Sequence, residues 1–447
     1  MLLFSYCIPE ASQNIAPMAV LDDTEALKSL QLALKMKQCS KYEKAKKLMQ
    51  HAMALNPRHP EVLNHYAELL ESENIVEADR LYAKALSIAP GHEVATINRR
   101  RTAPVVDDID QQQLDDIDKK MQQLLDCKTP TLKAIVQEVY YQQMHHSLGI
   151  EGNTMTIAET KSVAQTGVGI QGKSTRENNE VLGLQVALEY VETLTPNVRF
   201  ASVPNVHENV TGMKSNINNM KSYIDCMTSN ADSSSPNSDC PNFNADSLMP
   251  NNNHPTSTAY GLTTSCLMSD VEFATIPNLL QIHQKVLELV DPNVAGVFRK
   301  EQVYVGVHVP PPADKVEALT KDLIDWLKSS EARALHPVKR AAIAHYKFAY
   351  IHPFVDGNGR TARLLMNLIL ASAGYPSVII RKQDKDYYFE TLQMATEGDV
   401  RPFVRLVARC MQCILDVYLS CSAECDSDAC LKILEAKMAG KIDVISL

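Results

Sequence analysis

The chain has 447 residues, 45% hydrophobic and 22% charged, and Lys+Arg 44 against Asp+Glu 53 give a formal net charge of −9. Those values fit roughly two to three globular domains and exclude a wholly disordered, collagen-like or disulfide-scaffold protein. The acidic balance argues against a general nucleic-acid binder, and no apolar run reaches the ~18 residues that a membrane span needs.

At the N-terminus, MLLFSYCIPEA has no basic segment ahead of its short apolar run, so residues 1–24 read as a tail and not as a secretion signal. Ala45, Ala52 and Pro57 recur 33 residues later as Ala78, Ala85 and Pro90. Small residues seven apart share a helix face and let a neighbouring helix come close; the proline that follows stops the helix. A further helix precedes each set, EALKSLQLALKMKQ and EVLNHYAELLESE. The pattern over residues 25–91 resembles a pair of tetratricopeptide repeats, and so short an array implies support from a neighbour. Residues 92–128 stay helical and highly charged, as a linker helix with Pro104 as the place for a kink.

Helical periodicity continues from Pro130 to Leu194 and breaks at Gly167–Gly172. The break, Gly167-Val-Gly-Ile-Gln-Gly-Lys-Ser174, satisfies the pattern G-x-x-x-x-G-K-[ST]. A phosphate-binding loop of that kind needs a buried strand feeding its glycines. The preceding TIAETKSVAQT reads instead as a capped polar helix, and no apolar strand ending in Asp follows. The expectation is a loop between two helices, with glycine supplying unusual dihedrals. Residues 196–270 are dominated by Asn, Ser, Asp and Pro and cannot offset their ordering entropy by burial, so they read as a disordered insertion within a domain spanning 129–421. Helical periodicity resumes near Ile276 and runs to Leu419, interrupted by GVFRKEQVYVGVHVPPP, which alternates like a β-hairpin or flap. Cys410 and Cys413 sit in a helical pattern without a second ligand pair and read as ordinary thiols, and residues 422–447 read as a weakly ordered tail.

The chemistry concentrates in AHYKFAYIHPFVDGNGRTARLLMNLILASAGYP, Ala344 to Pro376, where two helical stretches flank the loop IHPFVDGNGR. Gly357 and Gly359 permit a tight backbone whose amides, with the dipole of the following helix, form an anion nest. Arg360 and Arg363 lie three apart on one helix face and can grip further phosphates. Asp356 offers a hard oxygen to Mg²⁺, an ion that keeps most of its waters and bridges phosphates. His352 can take a proton from an attacking hydroxyl near neutral pH. Together these parts describe transfer from a nucleotide polyphosphate.

HPFVDGNGR followed by Arg363 matches HPFx[DE]GNGRxxR at every position, and on that motif the chain resembles the Fic family. Over residues 25–195 and 272–420 the resemblance is to animal-type Fic proteins with an N-terminal tetratricopeptide pair. It implies an all-α protein in which tetratricopeptide hairpins are joined by a linker helix to an α-helical Fic domain with a short β-hairpin flap. It implies transfer of AMP from ATP to a Ser, Thr or Tyr hydroxyl of a protein, with Mg²⁺ or Mn²⁺ as cofactor. By resemblance, His352 is the general base and Asp356 holds the metal. Gly357, Asn358 and Gly359 cradle the α and β phosphates, Arg360 and Arg363 take the terminal ones, and Thr361 and Ala362 complete the nucleotide-binding turn. Val305, Gly306, Val307 and His308 form the flap that aligns the target by strand addition. Tyr388 and Phe389 lie near the adenine. Phe389 and Thr396 stand where relatives commonly carry Tyr and Asn.

Upstream, Ser147-Leu-Gly-Ile-Glu151-Gly152-Asn153 matches the family's inhibitory motif [ST]xxxE[GN]. Ser147 and Glu151, four apart, share a helix face, and a bidentate Glu151–Arg363 pair would take that arginine from the γ-phosphate. Relatives with this arrangement also remove AMP, their glutamate orienting a water. The competing reading is a non-catalytic scaffold of repeats and a Fic-like fold, which the intact His352, Asp356 and both arginines disfavour. The resemblance implies a chaperone as target, BiP in animal relatives, lying along the flap and against the repeats; it allows a homodimer and gives no role to nucleic acid. It also implies the membrane or lumen of the endoplasmic reticulum. This chain shows no such anchor, so either a segment is missing or the protein is cytosolic; the sequon Asn209-Val-Thr211 would be glycosylated only in the lumen.

Overall fold

The structure is a computed structural model that describes residues 23–126, 132–195, 272–306, 308–422 and 427–440. The expected insertion at 196–270, Val307 and the sequon lie outside the described residues. Among the described residues the regular structure is helical, and the expected flap is reduced to one antiparallel bridge, Val305↔His308. The described residues divide into two compact units, one drawn from residues 23–116 and 389–405, the other from the described residues between 117 and 388 and between 406 and 440.

The first unit is built from two helical hairpins. Helices α1 (Asp23–Gln38) and α2 (Tyr42–Leu55) form one, α3 (Pro60–Leu70) and α4 (Ile75–Ile88) the other. The repeated alanines do what their spacing predicts: Ala45, Ala52, Ala78 and Ala85 are fully buried. Leu30, Met49 and Val62 fill one hairpin core and Leu63, Leu81 and Tyr82 the next. Asn74 caps α4 by accepting the Glu77 N–H at 2.9 Å. The helix α5 (Glu93–Asp126) carries Pro104 in its interior and starts in this unit. Residues 389–405, expected in the Fic-like domain, cluster with the hairpins instead. The physical reason is an ion pair: Arg401 Nη1 lies 2.6 Å from Oδ2 of the fully buried Asp79, whose other oxygen accepts from Thr102 Oγ1 at 2.7 Å.

In the second unit, α6 (Leu132–Ile150), α7 (Ile157–Thr166) and α8 (Thr175–Thr193) lead to α9 (Ile276–Leu287), α10 (Val316–Lys328) and the short α11 (Ser330–Ala334). The site-bearing pair α12 (Pro337–Ile351) and α13 (Asn358–Ser372) follows. α13 is the central helix, buried from Arg360 through Leu370 and packed against α6, α8, α9 and α12. Such all-round burial is what its apolar run LLMNLILA requires. Beyond it in sequence come α14 (Lys385–Thr396) and α15 (Arg401–Ser422), whose residues 389–405 belong to the first unit, and α16 (Ser427–Ala439).

The glycine-rich decoy is a helix–helix loop, as its context predicts. Gly167 ends α7 in the left-handed region at φ 70°, and Ser174 starts α8 with a capping box to Glu177. Cys410 is a buried free thiol and Cys413 a half-buried one, with burial pushing both above the usual thiol range. The expected weakly ordered tail contains α16, which buries Cys430, Leu434 and Met438 four residues apart on one face.

Candidate active site

The loop between α12 and α13 is held by three sets of bonds. Asn358 accepts the Phe354 N–H at 3.0 Å and donates to the Phe354 carbonyl at 2.9 Å, closing the loop on itself. His283 of α9 accepts the Gly296 N–H on Nδ1 at 2.9 Å, so its neutral ring carries the proton on Nε2 and donates to the Asp356 carbonyl at 2.9 Å. Its ring stacks on Phe354 at 3.5 Å. Arg299 donates from Nε to the His352 carbonyl at 2.8 Å and from Nη1 to the Glu301 carbonyl at 2.9 Å, tying the loop to the flap segment. Gly357 has φ 76° and His283 Nε2 only 3.2 Å from where a Cβ would stand, so this position requires glycine.

His352 ends α12 with φ 49°, a left-handed conformation that turns its side chain away from the helix ladder. Burial pushes the imidazole down to about 4, reinforced by the positive charge of Arg299 and partly opposed by a hydrogen bond to the Ala349 backbone. A neutral ring at physiological pH is a proton acceptor. Asp356 is ionised: burial works against its charge, and Arg360, the Gly357 amide and Arg176 outweigh that and hold the carboxyl below its usual range.

The N-terminus of α13 leaves the amides of Asn358, Gly359 and Arg360 free of helix partners, whereas the Thr361 N–H is committed to the Gly357 carbonyl at 3.0 Å. Thr361 and Ala362 are fully buried, and of the expected nucleotide-binding turn they supply the core side. The Arg360 side chain is only 2% exposed, with Nη2 3.1 Å from Asp356 Oδ1, while its Nε and Nη1 have no hydrogen-bond acceptor. Arg363 Nη1 is likewise buried without one. Buried guanidinium donors lacking acceptors are what an incoming phosphate would satisfy.

Glu151 stands in that anion position. Its Oε1 accepts from Arg363 Nη2 at 2.6 Å, and a Cβ at Gly359 would meet that oxygen at 2.3 Å. The pair differs from the expected bidentate fork in one respect. Arg363 donates Nε to Ser147 Oγ and Nη2 to the Ser147 carbonyl, both at 2.9 Å, so Ser147 takes the second side of the guanidinium. Gly152, at φ 102°, turns the chain after Glu151, and Asn153 then locks onto α8 by donating to Glu180 Oε2 at 3.0 Å and to the Glu177 carbonyl at 3.1 Å.

Val305 and His308 exchange both backbone hydrogen bonds across Gly306, at φ 58°, and His308 Nε2 lies 2.9 Å from the Tyr350 carbonyl. Tyr304 beside them is 73% exposed. Tyr388, expected near the adenine, lies inside the core of the second unit. It is 2% exposed, with its hydroxyl 3.2 Å from His345 Nε2 and hydrogen-bonded to the site's Arg363. Phe389 and Thr396 belong to the first unit; Phe389 is exposed there and the Thr396 hydroxyl donates to the Leu392 carbonyl at 3.1 Å.

For a divalent ion, the described residues contain no cluster of three or more His, Cys, Asp or Glu side chains able to form a cage. The single ionised Asp356 beside an anion nest fits instead an ion that arrives on phosphates and keeps its waters. Sequence reasoning missed His283, Arg299, Arg176 and Glu180. The only signal for His283 is a polar residue on a face otherwise made of Leu279, Ile282, Val286 and Leu287.

Comparison with known proteins follows the same lines. Residues 273–370 match the Fic/DOC family. The chain is 39% identical over 407 residues to Protein adenylyltransferase Fic of Aedes aegypti, covering 90% of this chain and 67% of that protein. It is 39% identical over 425 residues to the Culex quinquefasciatus protein of the same description, covering 94% and 70%. Among solved structures it is similar to Fic-1 from C. elegans, with a TM-score of 0.67 at 30% identity, covering 88% of this chain and 97% of that one.

Proposed function

The chain belongs to the Fic/DOC family, and on that premise we propose that it is a protein adenylyltransferase restrained by its own Glu151. The observation that carries the reading is the Glu151 carboxylate seated over Gly359 and bonded to Arg363, an anion already placed where a terminal phosphate would bind.

In the forward direction the neutral His352 removes the proton of an incoming Ser, Thr or Tyr hydroxyl. The oxygen attacks the α-phosphorus of ATP, an ester bond to AMP forms, and the bond to pyrophosphate breaks. The free amides of Asn358, Gly359 and Arg360 and the unsatisfied donors of Arg360 stabilise charge on the phosphates. A divalent cation, when bound, offsets charge between the phosphates, and Asp356 is the residue that would hold it. The target segment lies along the flap at Val305–His308, where Tyr304 and Val309 are exposed. A scaffold without catalysis would gain nothing from an imidazole kept neutral by burial beside unsatisfied arginine donors.

The reverse activity is part of the proposal: Glu151, 32% exposed, orients a water that cleaves AMP from a modified target. The partner is a target protein of the chaperone type, and the setting is the lumen of the endoplasmic reticulum. No described helix is long and apolar enough to cross a membrane. Glycosidase sensitivity of a tagged chain tests the lumenal setting through Asn209.

The deciding experiment compares wild type with Glu151→Gly on one purified substrate. Freeing Arg363 should raise AMP transfer strongly, on the order of 10²-fold if the resting nucleotide is displaced by about 1 Å. The same change should abolish AMP removal. If both rates fell together, Glu151 would be a structural residue and the restraint reading would fail.

A further inference from the structure

Asp356 already carries a cation from a different part of the chain. Arg176, in the first turn of α8, places Nη2 2.6 Å from Asp356 Oδ2. The other carboxylate oxygen is committed to the site itself, accepting from the Gly357 N–H at 2.6 Å and from Arg360 Nη2 at 3.1 Å. Oδ2 is therefore the oxygen that an ion arriving with a nucleotide would need, and it is occupied. A guanidinium does not lose its proton in water, so this occupancy is not relieved by raising the pH.

The two ends of this contact differ in how firmly they are held. Arg176 is 60% exposed and its Nε lies 3.2 Å from Glu180 Oε1. Glu180 is buried, held by Asn153 Nδ2 at 3.0 Å and 3.9 Å from Arg360 Nη1. Arg176 can thus swing off Asp356 into solvent while keeping Glu180 as its partner. Asp356, pinned through Gly357 and Arg360, stays where it is.

Resting on the reading of Asp356 as the metal-holding carboxylate, we propose that Arg176 is an internal counter-ion on its outward oxygen. A divalent cation reaches Asp356 only by displacing the guanidinium. Arg176 therefore sets the cation concentration at which the nucleotide is held, as a second restraint separate from Glu151. Two positive charges cannot share one carboxylate oxygen without repulsion, and because the Arg176–Asp356 pair is exposed, its effect is graded and modest.

The test measures Mn²⁺ affinity of the full chain at a fixed concentration of an α,β-methylene ATP analogue, read by water proton relaxation, which reports protein-bound Mn²⁺ without turnover. Arg176→Ala should tighten Mn²⁺ binding about two- to fivefold, the scale of an exposed charge pair. Arg176→Gln, which keeps a polar side chain with an N–H donor at the level of Nε but removes the charge, should do the same. The gain should recur in the Glu151→Gly background and vanish with Asp356→Asn. If Asp356→Asn removes Mn²⁺ binding while both Arg176 variants leave it unchanged or weaken it, the counter-ion role is wrong and the metal reading stands. If Asp356→Asn leaves Mn²⁺ binding intact, the metal reading itself fails and the counter-ion role with it.

Discussion

At the scale of single residues the imidazole of His352 offers two checks. On the proposed reading it acts on the incoming hydroxyl and not on the phosphates, and its ring bonds to the Ala349 backbone. His352→Ala should therefore lower AMP transfer about 10²–10⁴-fold, measured in the Glu151→Gly background, with ATP affinity by calorimetry nearly unchanged. Lost ATP affinity would contradict the role. The residue types of this site were readable from the motif alone, because His, Asp, paired Gly and paired Arg in one short loop have few other uses. What could not be read was direction. The hydroxyl of Tyr388 meets His345, 43 positions earlier, a contact that only the folded pairing of α12 and α14 creates.

Elements carry the next set of consequences. The loop from Phe354 to Asn358 is closed by one side chain that satisfies both backbone groups of Phe354. Asn358→Ala would strand that buried amide and carbonyl, a loss of about 1–3 kcal/mol. Thermal melting should fall accordingly and ATP affinity should drop with it, since the Gly359 amide depends on the loop. An unchanged melting temperature would show that the loop is held elsewhere. The helix α7 is legible in its capped start, Thr156…Glu159, which forms a capping box, and α8 starts on a second one, Ser174…Glu177. By contrast α16 carries only a weak signal in the sequence. Its stripe of Cys430, Leu434 and Met438 is short and follows a polar stretch, so periodicity alone gave it little weight. The placement of residues 389–405 was invisible for a further reason: Arg401 and Asp79 are 322 positions apart, and no local pattern links them.

For the whole molecule, five histidines set the acid limit. Burial holds His145, His283 and His352 down to about 4 and His146 and His345 to about 3, from an ordinary value of 6.5. The folded chain keeps these rings neutral while the unfolded chain protonates them. Their contribution to stability is thus complete above about pH 6.5 and is lost as pH falls from there toward 3–4, at about 1.4 kcal/mol per pH unit for each ring that only the unfolded chain protonates. Calorimetry should show the melting temperature falling steadily between pH 7 and pH 5, ahead of the carboxylates, whose values lie lower. A flat profile over that interval would mean that the rings are hydrated in solution.

The close approach at Gly183 has a consequence for how the protein can be divided. A Cβ there would meet the Val286 carbonyl at 2.7 Å, so α8 and α9 touch backbone to backbone across the interval of residues 196–271. Glu151 and Ser147 are encoded on one side of that interval, His352 and Arg363 on the other. The seam between them is a helix surface, not a peptide bond. Two polypeptides, residues 1–195 and 272–447, should copurify when expressed together and keep the transfer rate of the intact chain. Gly183→Leu should separate them on the same column. In that sense the enzyme is written as two complementary fragments, and the restraint proposed for Glu151 would be a property of their assembly.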